Sequence, residues 1–245
     1  MDTQPIVEET ALVKPRSHKK KIEVKIPELN LPEKLFVLTI EDDSGSIPSA
    51  MKTKLRYALT GALFSELMLK NKIHLEDGRF LVNDPGPIDD PWLDEILSTI
   101  ISDKKPRRID HWLEAFGYKE IVQKFAVRLA ERKVIKIEKK QYSWVIQCDL
   151  FPKFKASAKY CIKQSLRGIA LAGETPEFSD IVLLNLLRNC QLLSLVFTRD
   201  ERKFVFKNIK GMFQKELIAE DNAKLFADLK TLSAEAASFA NGYRP

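Results

Sequence analysis

The stretch from Ser49 to Leu69 constrains the fold more than any other part of the chain. Leu55, Leu59, Ala62, Leu63, Leu67 and Met68 recur at helical spacing, while Lys52 and Arg56 fall on another side. The run predicts a long helix that buries one face, and Ser49 stands where an N-cap is expected. The pieces around it are shorter. Leu35–Ile40 reads equally as a helix or an apolar strand, because so short a run carries no decisive period. Asp43, Ser44, Gly45 and Pro48 mark a turn. The acids of that turn lack the alternating spacing and distant Glu of a calcium loop.

Ile73, Leu75, Phe80 and Val82 alternate about Asp77-Gly78, a strong two-residue hairpin signal. Asp90-Pro91 opens a helix with Trp92, Leu93, Ile96, Leu97, Ile100 and Ile101 as its expected buried stripe. Asp110 is the expected cap of a helix carrying Trp112, Leu113 and Phe116, which Gly117 stops. An amphipathic helix over Tyr118–Arg132 and a second hairpin over Val134–Ile146, turning near Lys139-Lys140, come next. Helices are predicted over 158–171, 179–196 and 203–218, with a terminal helix in the last 25 residues. The expected fold is mainly α: a single compact helical domain with a helical-bundle core and one or two short β-hairpins. Residues 1–33 read as a disordered basic arm, 34–220 as the domain, and 221–245 as a terminal helix and frayed tail.

A chain of 245 residues, 44% apolar and 30% charged, can bury a core without staples. No stretch approaches the ~20 apolar residues of a membrane-spanning helix, and the N-terminus does not have the form of a secretory signal. Cys148, Cys161 and Cys190, odd in number and widely spaced, are expected to be structural thiols in a reducing compartment. His18, His74 and His111 stand far apart, outside any metal-ligand spacing. Dinucleotide and phosphate-loop glycine motifs, the nucleophile elbow and HExxH are all missing. Neither catalysis, nor a metal, nor a cofactor is expected.

Charge is more informative. Twelve basic residues face five acidic ones between Lys104 and Lys140, a local excess slightly above the net charge of +6 for the whole chain. Lys14–Lys25 adds six basic residues against Glu23 alone. Such concentration attracts phosphate-bearing partners. Two remain open on charge alone: an anionic membrane surface, or nucleic acid read by a winged-helix-like pairing of the 119–132 helix with the hairpin after it.

The order of pieces carries a resemblance. LTIEDDSGSI, LTGALFSELMLKNKIHLEDGRFLV, DPWLDEILSTI, VRLAERKVIKIEKKQYSWVI, LFPKF and IKQSLRGIALAGETPEFSDIVLLNLLRNCQLLSLVF follow one another as in the Golgi phosphoprotein 3 family, which the chain resembles over about residues 34–217. Gly61–Ile73 and Asp90–Leu97 are similar to two of its motifs. The resemblance implies an almost all-helical domain with a protruding hairpin and no catalysis. It also implies a peripheral protein of the cytoplasmic face, Golgi in eukaryotes, that binds phosphatidylinositol 4-phosphate, oligomerises and links the cytosolic tails of membrane enzymes to coats.

The family's headgroup pocket uses a Trp, an Arg on the first long helix and two basic residues on a later helix. By position these fall at Ala50 or Met51, at Thr60, at Lys119 and at Val122, so Lys119 alone keeps its chemistry. Arg56 and Lys52 lie one and two turns before Thr60. The headgroup patch is therefore expected at Lys52, Arg56, Lys119, Lys124 and Arg128. The hairpin is expected to meet the membrane or a second copy through Lys136, Lys139, Lys140 and Trp144. The leading expectation is a non-enzymatic peripheral membrane protein that binds anionic, phosphoinositide-like headgroups and acts as an adaptor. The alternatives are a protein-interaction scaffold with little lipid contact and, below it, the nucleic-acid module.

Overall fold

The structure is a computed structural model that describes residues 28–141, 147–150, 156–219 and 221–242. Those residues form nine α-helices and two two-stranded antiparallel hairpins. The helices are α1 (Leu31–Thr39), α2 (Lys52–Leu69), α3 (Pro91–Ser102), α4 (Ile109–Phe116), α5 (Ile121–Glu131), α6 (Ala156–Arg167), α7 (Phe178–Asn189), α8 (Glu201–Ile218) and α9 (Ala223–Ala240). Strands β1 (Ile73–Glu76) and β2 (Arg79–Val82) pair, as do β3 (Glu138–Gln141) and β4 (Gln147–Leu150). The mainly helical fold read from the sequence is the fold observed.

Helix α2 is the axis. Residues 57–68 are buried without a break, so its apolar face widens into a fully enclosed helix. It touches α1, α3, α4, α5, α7, α9 and β1, and α9 is its principal partner. Gly61 permits that closeness: a Cβ there would lie 2.9 Å from the Cβ of Ala236. Helix α9 is thus part of the core, with Phe226, Leu229, Leu232, Ala236 and Phe239 buried, and not merely a terminal appendage.

Several starts and stops differ from the sequence reading. Leu35–Thr39 resolves as helix, with Ile40 as its C-cap, because Asn30 and Glu33 form a reciprocal capping box and Pro32 sits in the first turn. Order therefore begins before residue 34, and Leu29, Leu31, Pro32 and Glu33 are all buried. Ser49 is not the cap of α2. It opens a 3₁₀ turn over Ser49–Met51, and the cap position, Met51, has no side-chain bond to the helix. Arg108, not Asp110, occupies the cap position of α4. Asp90 caps α3 as expected, accepting from the backbone N–H groups of Trp92 and Leu93. Ile101, assigned to the buried stripe of α3, is exposed. The expected helix over 179–196 ends at Asn189, and a 3₁₀ turn at Leu193–Leu195 follows.

The first hairpin turns at Asp77-Gly78, both at positive φ (49° and 70°), as its spacing predicts. The second does not turn at Lys139-Lys140. Those residues lie inside β3, paired with Asp149 and Cys148, and so are not the turn.

Candidate functional site

Three helix ends and one corner meet at one pole of the molecule. Helix α2 begins there with no acidic residue in its first turn, and Lys52 stands exposed at its positive end. Cations at a helix N-terminus oppose the macrodipole, so this end carries a concentrated positive field. One turn on, Arg56 is half-buried. Its guanidinium lies over the ring of Tyr57, 4.5 Å from the centroid, and Nη2 donates to Tyr57 Oη at 2.9 Å. Its Nε is buried without a protein partner, and no carboxylate pairs with Arg56 among the described residues.

Tyr57 is fixed from both sides. Its ring packs on Phe239 near the end of α9, with centroids 5.2 Å apart. On the other side lies Gly117, where a Cβ would come within 2.7 Å of the Tyr57 ring. Only glycine fits that approach, which is why the α4–α5 corner closes on Tyr57. Two residues later Lys119 is exposed, with no ion pair among the described residues. Arg56 and the α4–α5 corner thus meet at one buried ring, with Lys52 one turn before Arg56 and Lys119 two residues after Gly117. Thr60, the position of the family's arginine, is fully buried and donates its hydroxyl to the Arg56 carbonyl.

Lys124 and Arg128 face elsewhere. They line an open groove of about 450 Å³ between α3 and α5, floored by Trp92 and Val127 and rimmed by Glu95, Glu120 and Glu131. Lys124 lies 5.2 Å from the ring centroid of Tyr118, and its hydrogen bond to Tyr118 raises its pKa against the opposing effect of burial. Arg128 is committed to carboxylates: Nε donates to Glu33 Oε1 at 2.9 Å and Nη2 to Asp90 Oδ2 at 2.5 Å. Burial would lower its pKa, but the hydrogen bond to Glu33 and the charges of Asp90 and Glu33 outweigh that and raise it. Arg132 binds the other oxygen of Glu33. This node ties the starts of α1 and α3 to α5.

The same neutralisation runs through the basic segment. Arg107, Arg108, Arg128, Arg132 and Lys136, five of its twelve cations, sit in ion pairs with Asp103, Asp110, Glu33, Asp90 and Glu138. Three of those acids, Glu33, Asp90 and Asp103, lie outside the segment, so a local charge count cannot see them. Lys139 and Lys140 are placed only as members of β3, and Trp144 lies outside the described residues.

The sequence reading overlooked two cations at the pole. Lys54 donates to Gln191 at 2.8 Å, and Arg188, from the last turn of α7, stacks 4.2 Å over the ring of Phe206 on α8. Burial lowers the pKa of Arg188. Their only signal in the sequence is basic character, since the contacts join distant segments. Among the described residues no group of three or more His, Cys, Asp and Glu side chains is arranged to hold a metal ion. No helix among the described residues is long and apolar enough to cross a membrane.

A helical domain with a cationic, ring-backed pole is the class that this geometry defines. The chain belongs to the Golgi phosphoprotein 3 (GPP34) family, whose sequence pattern matches residues 31–229, from the first residue of α1 into α9. Comparison with curated proteins returned no match. Membership implies a peripheral, phosphoinositide-binding protein of a generally non-enzymatic kind.

Proposed function

We propose that the pole formed by Lys52, Arg56 and Lys119 receives the phosphate groups of an anionic lipid headgroup, of the phosphatidylinositol 4-phosphate kind, and holds the protein at a membrane surface. One observation carries the reading. Arg56 is a half-buried cation held on Tyr57 at the positive end of α2, with no carboxylate to neutralise it. Arginine so placed presents its remaining N–H groups to a phosphate at little further cost in side-chain order. Family membership supplies the chemical class. Co-sedimentation with vesicles containing phosphatidylinositol 4-phosphate, at low and physiological salt, tests it. Binding is expected to fall with salt and to weaken at least tenfold in the Arg56→Glu, Lys119→Glu variant while its melting temperature stays within a few degrees of wild type. Undiminished binding by that variant refutes the placement.

The α3–α5 groove supports an adaptor role on the same molecule. Its apolar floor and the acids Glu95, Glu120 and Glu131 suit a basic amphipathic segment, the chemistry of a cytosolic tail next to a membrane. Glu95→Lys with Glu131→Lys is expected to weaken binding of a basic amphipathic peptide at least tenfold in a fluorescence titration, leaving vesicle binding intact. Equal peptide affinity in the variant removes the groove from the proposal.

A further inference from the structure

Helix α8 presents a face that neither the pole nor the groove uses. Its residues Val205, Ile209 and Phe213 are buried in the core, which fixes the opposite side outward. At about 100° per residue, Lys203, Lys207, Lys210 and Gln214 fall within roughly 60° of one another along that side. Phe204 flanks the row on one side and Phe206 on the other, and they are 56% and 46% exposed. Each ring alone would be ordinary, but with one on either side of the cationic row the face offers apolar edges beside its charge.

The lysine row is not neutralised from within. Lys203 and Lys207 stand four residues apart and Lys207 and Lys210 three, like-charged spacings that weaken a helix. No carboxylate lies within ion-pair distance of these three among the described residues. Of the two acids of α8, Glu201 turns to Arg167, with Nη2 to Oε1 at 2.5 Å and Nη1 to Oε2 at 2.9 Å. Glu216 accepts from Asn222. Arg188 adds a further cation over the Phe206 ring. Lying one turn before Gln191, the partner of Lys54, it carries this positive surface toward the start of α2.

We propose that the outward face of α8, through Lys203, Lys207, Lys210, Phe204 and Phe206, is a second membrane contact that rests on an anionic bilayer. The ammonium groups would lie against the headgroup phosphates, with the two rings at the flanks of the contact in the headgroup region. A bilayer satisfies both chemistries at once. Duplex nucleic acid satisfies the lysines and leaves the rings in water. A two-fold partner of the same chain sets one lysine row against another. The contact needs no phosphoinositide, so it goes beyond the headgroup pole and does not depend on it.

The test is co-sedimentation with mixed phosphatidylcholine–phosphatidylserine vesicles free of phosphoinositide, at low salt. The Lys203→Glu, Lys207→Glu, Lys210→Glu variant is expected to bind on the order of 100-fold more weakly. Phe204→Ser with Phe206→Ser is expected to lose several-fold, and Lys230→Glu, on the exposed side of α9 and outside both surfaces, to retain most binding. If the charge-reversed chain does not fold by circular dichroism, the Lys→Gln triple takes its place with a smaller loss. A folded triple variant that binds like wild type overturns the inference, whatever the pole variant does. So does a face that proves to serve another occupant: duplex DNA displacing the vesicles at matched phosphate, or a wild-type dimer that the Phe→Ser variant breaks. Loss in the pole variant with phosphatidylinositol 4-phosphate, but not in the triple, supports the headgroup reading alone.

Discussion

Arg128 shows at the scale of one residue how burial decides a role. It is basic, lies on an amphipathic helix and stands near Lys124, so the sequence counts it with the phosphate-facing cations. In the fold its partners are Glu33, which is fully buried, and Asp90, the cap of α3. A guanidinium saturated by two carboxylates has little left for a lipid phosphate. Arg128→Ala leaves one oxygen of Glu33 and one of Asp90 without their cation, while Arg132 still holds the other oxygen of Glu33. The expected cost is about 3 kcal/mol, the lower end for breaking a buried pair, read as a lower midpoint in urea denaturation. Vesicle binding, measured where the variant is folded, is expected to be unchanged. Lost binding at unchanged stability would return Arg128 to the headgroup site. Arg56 is the converse: nothing in its neighbours' letters distinguishes it, and its freedom from carboxylates emerges only when α2, α9 and the α4–α5 corner are assembled around Tyr57.

Among elements, the legible ones were those specified by local chemistry. Asp77-Gly78 defined its hairpin because two adjacent positive φ angles demand such residues. Asp90-Pro91 defined the start of α3 because an acceptor and a fixed φ together satisfy a helix N-terminus. Elements specified by distant packing were not legible. Leu35–Ile40 carries no period of its own, and Leu35–Thr39 becomes helix through the capping box before it and burial on every side. The second hairpin was found but its turn was misplaced, since a run rich in lysine and isoleucine fixes no register until the partner strand is known. The α8 lysines are legible as a spacing of four and three, which is helical. What the sequence could not supply was which cations lose their charge to acids far along the chain, and that decides the site.

The whole molecule couples these parts through its last helix. Helix α9 lies along α2, admitted by Gly61, and its far end supplies Phe239 to the ring on which Arg56 rests. The pole is therefore assembled from segments more than a hundred residues apart, and its geometry depends on the core being closed. Phe239→Ala removes one side of the Tyr57 seat and opens a cavity beside it. The expected loss of stability is about 3–5 kcal/mol. A purely structural role for Phe239 predicts normal lipid affinity once temperature is lowered until the variant is fully folded. Coupling through Tyr57 predicts several-fold weaker binding to phosphatidylinositol 4-phosphate vesicles even there, because a loosened ring no longer holds the guanidinium in place. Phosphatidylserine binding through α8, which does not pass through Tyr57, should be spared. Isothermal titration of the folded variant against both kinds of vesicle separates the two. Equal affinity for phosphatidylinositol 4-phosphate in variant and wild type would show that Gly117 alone seats Tyr57 and that the C-terminal helix supports the fold without shaping the site.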